Sequence, residues 1–344
     1  MKLNTKKEIR QYVGDTGQLF GIRKYVLTDG RSKGVNAIHI NNGVGLEFTV
    51  LLDRCLDISD LSFKGINCSY LSKTGIVAPE YFEFGRDGFL RNFFAGFLTT
   101  CGLRNVGIPS TDQNETHCQH GRIGNIAGEE ICANTTWEDD VPVMSISGKM
   151  REAVVFGEHL TLSRKIICKY GENRIIIRNT VENLGFRNER LMLLFHFNLG
   201  YPLLDEDAIL ISPTEQLTPR NAEAEKGVAD YRRCQKPTPG YQEQVFFHRL
   251  KADTRGNTSV ALVNKKIQMA LKISFNTHQF FNFTQWKQMG EGEYVMGLEP
   301  CNCCLEGRAD AQGKEIAEYL APGELRNFDI TIDLLSGEEA EKLI

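Results

Sequence analysis

Three short polar islands interrupt apolar runs of the chain: His-Gly-Arg at His120 to Arg122, Phe-His-Phe-Asn-Leu-Gly at Phe195 to Gly200, and Gly-Leu-Glu-Pro at Gly297 to Pro300. Together they supply two imidazoles, His120 and His196, and one carboxylate, Glu299. Imidazole and carboxylate can move protons near neutral pH, with unperturbed pKa values of about 6.5 and 4.3. The set points to acid–base chemistry.

Each island also has a simpler reading. Glu299 precedes Pro300, and proline cannot donate to a sheet ladder. The expectation is therefore a strand end that aims the carboxylate from a sheet edge into a cleft; a plain surface Glu is the commoner case. His196 and Asn198 are two residues apart in LMLLFHFNLG and share one face of a strand. Buried polar groups need partners, so they are either a polar pocket or a satisfied core pair. His120 lies in a Gly-containing turn beside Arg122, whose planar guanidinium suits hydroxyl or carboxylate oxygens. His117 competes with it for the pocket. His117 and His120 could also meet Cys301, Cys303 and Cys304 at a zinc ion, although Cys-Asn-Cys-Cys lacks the two-residue gap of structural zinc sites. Arg54 and Asp57 interrupt a strand in LDRCLDI. Alternation puts Asp53 and Asp57 on one face and Arg54 on the other, which leaves either a pocket charge or an internal ion pair.

These residues must be held by strands. Alternating or β-branched runs recur from residue 35 to residue 335, among them VNAIHI, LEFTVLLDRCLDI, VPVMSISGKM, RIIIRNTVEN and LRNFDITIDLL. Gly, Asn, Asp or Pro clusters bound them, the pattern of strands joined by turns. Helical periodicity is confined to the terminal KKEIRQYV and GEEAEKLI. The expectation is an all-β sandwich or barrel. FFAGFLTTCGL (93–103), apolar at nearly every position, reads as a central strand covered on both faces. Thr214 to Gln244, rich in Pro, Glu and Gly, reads as a long surface excursion bordering the site.

Composition narrows the class. No linker-like tract divides the 344 residues, so one domain, 1–344, with short terminal helices is expected. A net charge of -4 from interspersed acids and bases argues against nucleic acid. No apolar run approaches the ~20 residues of a membrane span, and the basic N-terminus lacks the apolar segment of a signal peptide. The expected location is the cytoplasm, with the ten cysteines reduced and mostly buried. Nothing in the sequence fixes the oligomeric state, monomer or homodimer.

In order, His120-Gly121, Val181-Glu182-Asn183-Leu184-Gly185, His196-Phe197-Asn198-Leu199, Leu298-Glu299-Pro300 and Leu320 to Glu324 resemble the galactose mutarotase (aldose 1-epimerase) superfamily. The Asp53 to Asp57 and Phe97 to Gly102 segments resemble an aldose-1-epimerase-like branch of unassigned substrate more than well-studied mutarotases. The resemblance implies a large antiparallel β-sandwich, the galactose mutarotase-like supersandwich. It also implies an isomerase that exchanges the anomers of a free or modified monosaccharide without a cofactor. On that reading Glu299 is the base, His196 the acid and His120 an assistant, while Arg54, Arg122, Asn198 and Asp57 bind the small-molecule sugar. Fold alone leaves two other functions open: a non-catalytic sugar-binding or sensing protein, and a lyase or epimerase acting at another carbon.

Overall fold

Strand Arg174–Asn183 shows in miniature why this chain forms sheets: Ile175, Ile177, Asn179, Val181 and Asn183 are buried while the residues between them are partly or fully exposed. Such period-two burial fits a strand with one face on a core. The computed structural model describes residues 5–85, 88–112, 114–313 and 317–343. It holds three larger antiparallel sheets.

The first has five strands, beginning Gly21–Val26, Asn36–Asn41, Leu46–Leu51 and Asp57–Phe63. The second has eight, ordered Glu129–Glu138, Val141–Ala153, His159–Lys169, Arg174–Asn183, Leu325–Ser336, Met269–Asn276, Asn257–Asn264 and Ala208–Ile211. The third has six: Thr214–Pro219, Gln244–Leu250, Asn282–Gly290, Glu293–Cys301, Met192–Leu199 and Leu98–Leu103. The terminal helices fall at Lys6–Tyr12 and Glu338–Glu341. Among the described residues no helix is long and apolar enough to cross a membrane.

One apolar core draws on all three sheets, including Phe48 and Phe63 from the first, Ile166, Ile177 and Ile332 from the second, and Phe197 and Leu298 from the third. Phe280 bridges two of them, 5.6 Å from Phe195 and 5.4 Å from Phe328. Buried aromatics of this kind contribute both area and directional ring contacts. The cysteines fit this packing: seven of the ten are buried.

Four expectations from the sequence need correction. Leu46 to Asp57 is not one strand: Cys55 and Leu56 take φ of 56° and 52°, and the chain turns between Leu51 and Asp57. That turn breaks the alternation, so Arg54 and Asp57 are both buried. Leu98–Leu103 is an edge strand of the six-stranded sheet. It is nonetheless buried throughout, because its free side is covered by the 3-10 turn Ile123–Asn125 and by the Asp57 strand. Glu299 sits inside its sheet, and its strand runs on through Pro300 to Cys301. Thr214 to Gln244 begins as a strand, Thr214–Pro219, paired into the six-stranded sheet, before it leaves for the surface.

Candidate active site

The site is one rung of the six-stranded sheet. Pairs Phe197↔Leu298 and Leu194↔Cys301 flank a gap in the ladder, and their register sets His196 opposite Glu299. Pro300 falls in that gap, where it withholds the amide donor another residue would supply. On their outer sides Glu299 pairs with Thr284 and His196 with Thr99. Phe195 and Phe197 point into the main core, so by alternation His196 and Glu299 emerge on the opposite face. Gly297 makes their approach possible. A Cβ there would lie 2.6 Å from Glu299 Oε1, 2.9 Å from Trp286 Cβ and 3.3 Å from His196 Cε1.

His120 reaches the same place from a tight turn. It takes φ 55° and is followed by Gly121 at φ 72°, both in the left-handed region. A Cβ at Gly121 would stand 2.2 Å from Gly102 O and 2.7 Å from Asn105 O, so this position requires glycine. Two backbone hydrogen bonds tie the turn to the edge strand, Gly102 N donating to His120 O (2.9 Å) and Arg122 N to Gly102 O (3.0 Å). His120 Nδ1 accepts from Gly107 N–H at 3.4 Å, which assigns the ring proton to Nε2.

The three groups line one cleft of about 120 Å³. Phe89 and Phe93, stacked 4.8 Å apart, and Trp286, 5.4 Å from the His196 ring, form its aromatic walls. Gln119, Arg220 and Glu243 add polar groups. Arg220 is held by Glu306 at 2.9 Å, and Trp286 Nε1 donates to Glu243 Oε2 at 2.7 Å.

Burial governs the electrostatics. Glu299 Oε1 lies 3.2 Å from His196 Nε2 but has no aligned hydrogen bond. The Glu299 carboxyl is pushed well above the usual range, first by desolvation and then by Cys301 and Glu243, with Arg220 opposing. His196 is pushed down to about 3 by desolvation and then by His120, with the Asn198 carboxamide pulling the other way. His120 falls to about 4 through burial and then Arg220. Low-dielectric surroundings favour the neutral form of each group. A neutral imidazole facing a protonated carboxyl is an acid and a base in contact, with one proton between them.

The remaining candidates lie elsewhere. Asp57 accepts from Arg164 Nη1 (2.8 Å) and from Thr100 N (2.8 Å) and Oγ1 (2.6 Å), and Arg164 Nε donates to Asn179. This buried knot ties the first two sheets to the edge strand. The Arg54 guanidinium donates to the carbonyls of Gly124, Val77 and Asn92 and lies over the Phe94 ring. Arg122 is exposed and stacks 4.4 Å from Phe84. Asn198 is buried, donating to the carbonyls of Ala95 and His196. None of the four lines the cleft, so a substrate contact through them has no support in this geometry. His117 points away as well, 3.8 Å from Glu115. Cys301 and Cys303 pack with Cys101, Leu194 and Val245 in a small apolar cluster on the cleft side of the sheet. Among the described residues no group of three or more His, Cys, Asp or Glu side chains is placed to hold a metal ion.

Trp286, Arg220, Glu243 and the two phenylalanines stand outside the candidates that polar breaks in apolar runs offer. Arg220 and Glu243 fall in the stretch expected to border the site. Trp286, one of only two tryptophans, was the available signal for an aromatic wall.

Comparison with known structures identifies the fold as galactose mutarotase-like. A protein described as a "putative aldose 1-epimerase" from Klebsiella pneumoniae superposes with TM-score 0.90 at 24% identity, over 95% of this chain and 88% of that one. A galactose mutarotase-like protein from Clostridium acetobutylicum gives 0.64 at 12% identity, over 93% and 100%. Galactose 1-epimerase from Lactobacillus acidophilus gives 0.60 at 14%, over 93% and 100%. No curated protein matches the chain. Residues 32–334 match the family described as Domain of unknown function (DUF4432), and the chain belongs to that family.

Proposed function

We propose that the protein is an aldose 1-epimerase-like isomerase that interconverts the anomers of a cyclic sugar. The observation that carries this reading is the buried His196–Glu299 pair, 3.2 Å apart on one sheet rung at the base of an aromatic-walled cleft. Anomer exchange needs one acid and one base within reach of a single hemiacetal, and this pair supplies both.

Ring opening starts from the ion-pair form of the same one-proton pair, reached when the proton passes from Glu299 to His196 across their 3.2 Å contact. Glu299 then takes the proton of the anomeric hydroxyl while the bond from the anomeric carbon to the ring oxygen breaks, and His196 gives its proton to that oxygen. The open-chain carbonyl is then held against a protonated Glu299 and a neutral His196, the forms that burial favours. After rotation about the C1–C2 bond, closure on the other face reverses both transfers and restores the pair. His120, with its proton on Nε2, donates to the ring oxygen or a neighbouring hydroxyl. Trp286 and Phe93 pack against the apolar face of the ring. Only protons move, so the reading calls for no cofactor. A cytoplasmic location is part of this proposal.

Exchange NMR of α and β anomers in D2O, on a panel of aldoses, deoxy sugars and acidic sugars, tests this directly. Wild type should accelerate exchange of at least one sugar, and Glu299→Gln should remove most of the acceleration, on the order of 10²-fold or more, with sugar binding retained. Binding without acceleration would make the protein a sugar sensor. Deuterium entering a C–H position would point to a lyase or carbon epimerase.

A further inference from the structure

The cleft adjoins a second, larger depression of about 510 Å³. Leu90, Phe93, Glu243 and Trp286 line both. The hydrogen-bonded Trp286–Glu243 pair is therefore a partition with a cavity on each side. The outer groove continues along the same strands as the inner one. Gln288 follows Trp286 on the same face of strand Asn282–Gly290, and Glu293 starts the paired strand that carries Glu299. Thr284, on the Glu299 rung, and Gln288 are four residues apart, roughly 13 Å along an extended strand. That span exceeds the width of one pyranose ring.

The wall of the groove fits a neutral, hydroxyl-rich occupant. Its charged groups are mixed in sign: Lys73 pairs with Glu293, Arg91 is 3.6 Å from Glu83, and Arg31 and Glu243 are held by neutral groups. Arg31 donates to Arg91 O and Asn92 Oδ1, each at 3.2 Å. Glu243 accepts from Trp286 Nε1. An anionic substituent would have to compete with these pairs. Sugar hydroxyls, which donate and accept, can join them without breaking any, while Tyr70, Phe93 and Trp286 offer aromatic surface to the apolar face of a ring.

Resting on the anomer-exchange reading above, we infer that the preferred substrate is the reducing end of a neutral glycosylated sugar of disaccharide size. The reducing ring sits over His196 and Glu299, and the second ring lies beyond Trp286 in the groove lined by Gln288, Lys73 and Glu293. The orientation follows from the chemistry, because only the reducing ring has a free anomeric carbon. The groove takes no part in proton transfer; its contribution is binding of a remote group, which the inner ring cannot supply.

The test compares anomer exchange on glucose and galactose with that on maltose, cellobiose, lactose and melibiose, for wild type, Gln288→Ala and Lys73→Ala. In wild type, at least one disaccharide should exceed its own reducing-end monosaccharide in kcat/KM by about fivefold, the worth of one net hydrogen bond. Each variant should lower the ratio of disaccharide to monosaccharide kcat/KM, through KM rather than kcat, because a contact made equally in ground and transition states affects only binding. If wild type accelerates monosaccharides through Glu299 but favours no disaccharide, or if both variants leave the ratio unmoved, the groove inference fails and the cleft reading stands. If wild type accelerates none of these sugars, nor any of the aldose panel, the cleft reading fails and the groove inference falls with it.

Discussion

At the scale of the residue, the chemistry of this site is set by what surrounds Glu299 and His196 rather than by which residues they are. Desolvation raises one and lowers the other, and the two effects leave a single proton on the pair over a wide range of pH. Activity should depend on that proton in both directions. Removing it requires ionising Glu299, so the alkaline limb of kcat/KM should lie well above the ordinary carboxylate range. Adding a second requires protonating an imidazole, so the acid limb should lie below about pH 4, where His196 and His120 titrate. The expected profile is a broad plateau, measured by exchange NMR from pH 4 to 9. A rate that falls already between pH 7 and 6 would mean a histidine with an ordinary pKa controls the reaction. The identities of Glu299, His196 and His120 were legible in the sequence because each stands as a polar break in an apolar run. Their partners were not. Arg220 and Glu243 lie in a stretch without periodicity, where order along the chain says nothing of which side chains turn inward. Arg54 and Asp57 carried the same sequence signal as the true cleft residues, charge within an apolar run. Their charges are instead absorbed by Arg164, Thr100 and three backbone carbonyls.

At the scale of the element, the strand carrying Glu299 works through two residues with no functional groups. Pro300 opens the ladder beside the His196–Glu299 rung, and Gly297 removes the Cβ that would stand between Glu299, Trp286 and His196. Gly297→Ala adds one methyl group at a position whose nearest approach, 2.6 Å, is to the carboxylate itself. The strand should survive, since Gly297 does not take a left-handed φ and alanine fits a strand at small cost. The carboxylate and the imidazole, however, must move apart. The expected result is a loss of kcat of about tenfold to a hundredfold, since displacements near 1 Å degrade proton transfer on this scale, with a cooperative unfolding transition retained. An unchanged kcat would show that the approach of the two groups does not limit the rate. Strands were read from the sequence where polar and apolar residues alternated, as in Arg174–Asn183. Asn282–Gly290 lacks that alternation because its buried positions include Thr284, Gln285 and Lys287, polar residues satisfied by tertiary contacts such as Gln285 with Tyr231 O and Lys287 with Asp230 O.

At the scale of the whole molecule, burying imidazoles couples stability to pH. Four histidines, His117, His120, His196 and His248, are held below the ordinary value, to about 4, 4, 3 and 4, with desolvation the largest cause in each. Above pH 6.5 such a histidine is neutral in both the folded and unfolded states and has no effect on the pH slope. As pH falls below 6.5 the unfolded chain binds a proton that the folded chain refuses, so stability is lost until the folded pKa is reached. Glu152, pushed up to about 7 by burial, acts in the opposite sense: its folded form keeps a proton that the unfolded chain has released, so stability falls as pH rises from the ordinary carboxylate range toward 7. The histidine contribution can be isolated at His248, which lies outside the cleft between Thr214 Oγ1 (2.9 Å) and Gln285 Oε1 (3.2 Å). His248→Gln removes the titrating group, and its loss of hydrogen bonds lowers stability at every pH. The difference between pH 7 and pH 5 carries the test. Wild type should lose about 2 kcal/mol more than the variant on that step, the worth of one imidazole moved from 6.5 to about 4. Urea denaturation followed by tryptophan fluorescence at the two pH values measures it. Parallel losses in the two proteins would mean that His248 binds its proton in the folded state as readily as in the unfolded one, and that the acid lability resides in the cleft histidines and His117 alone.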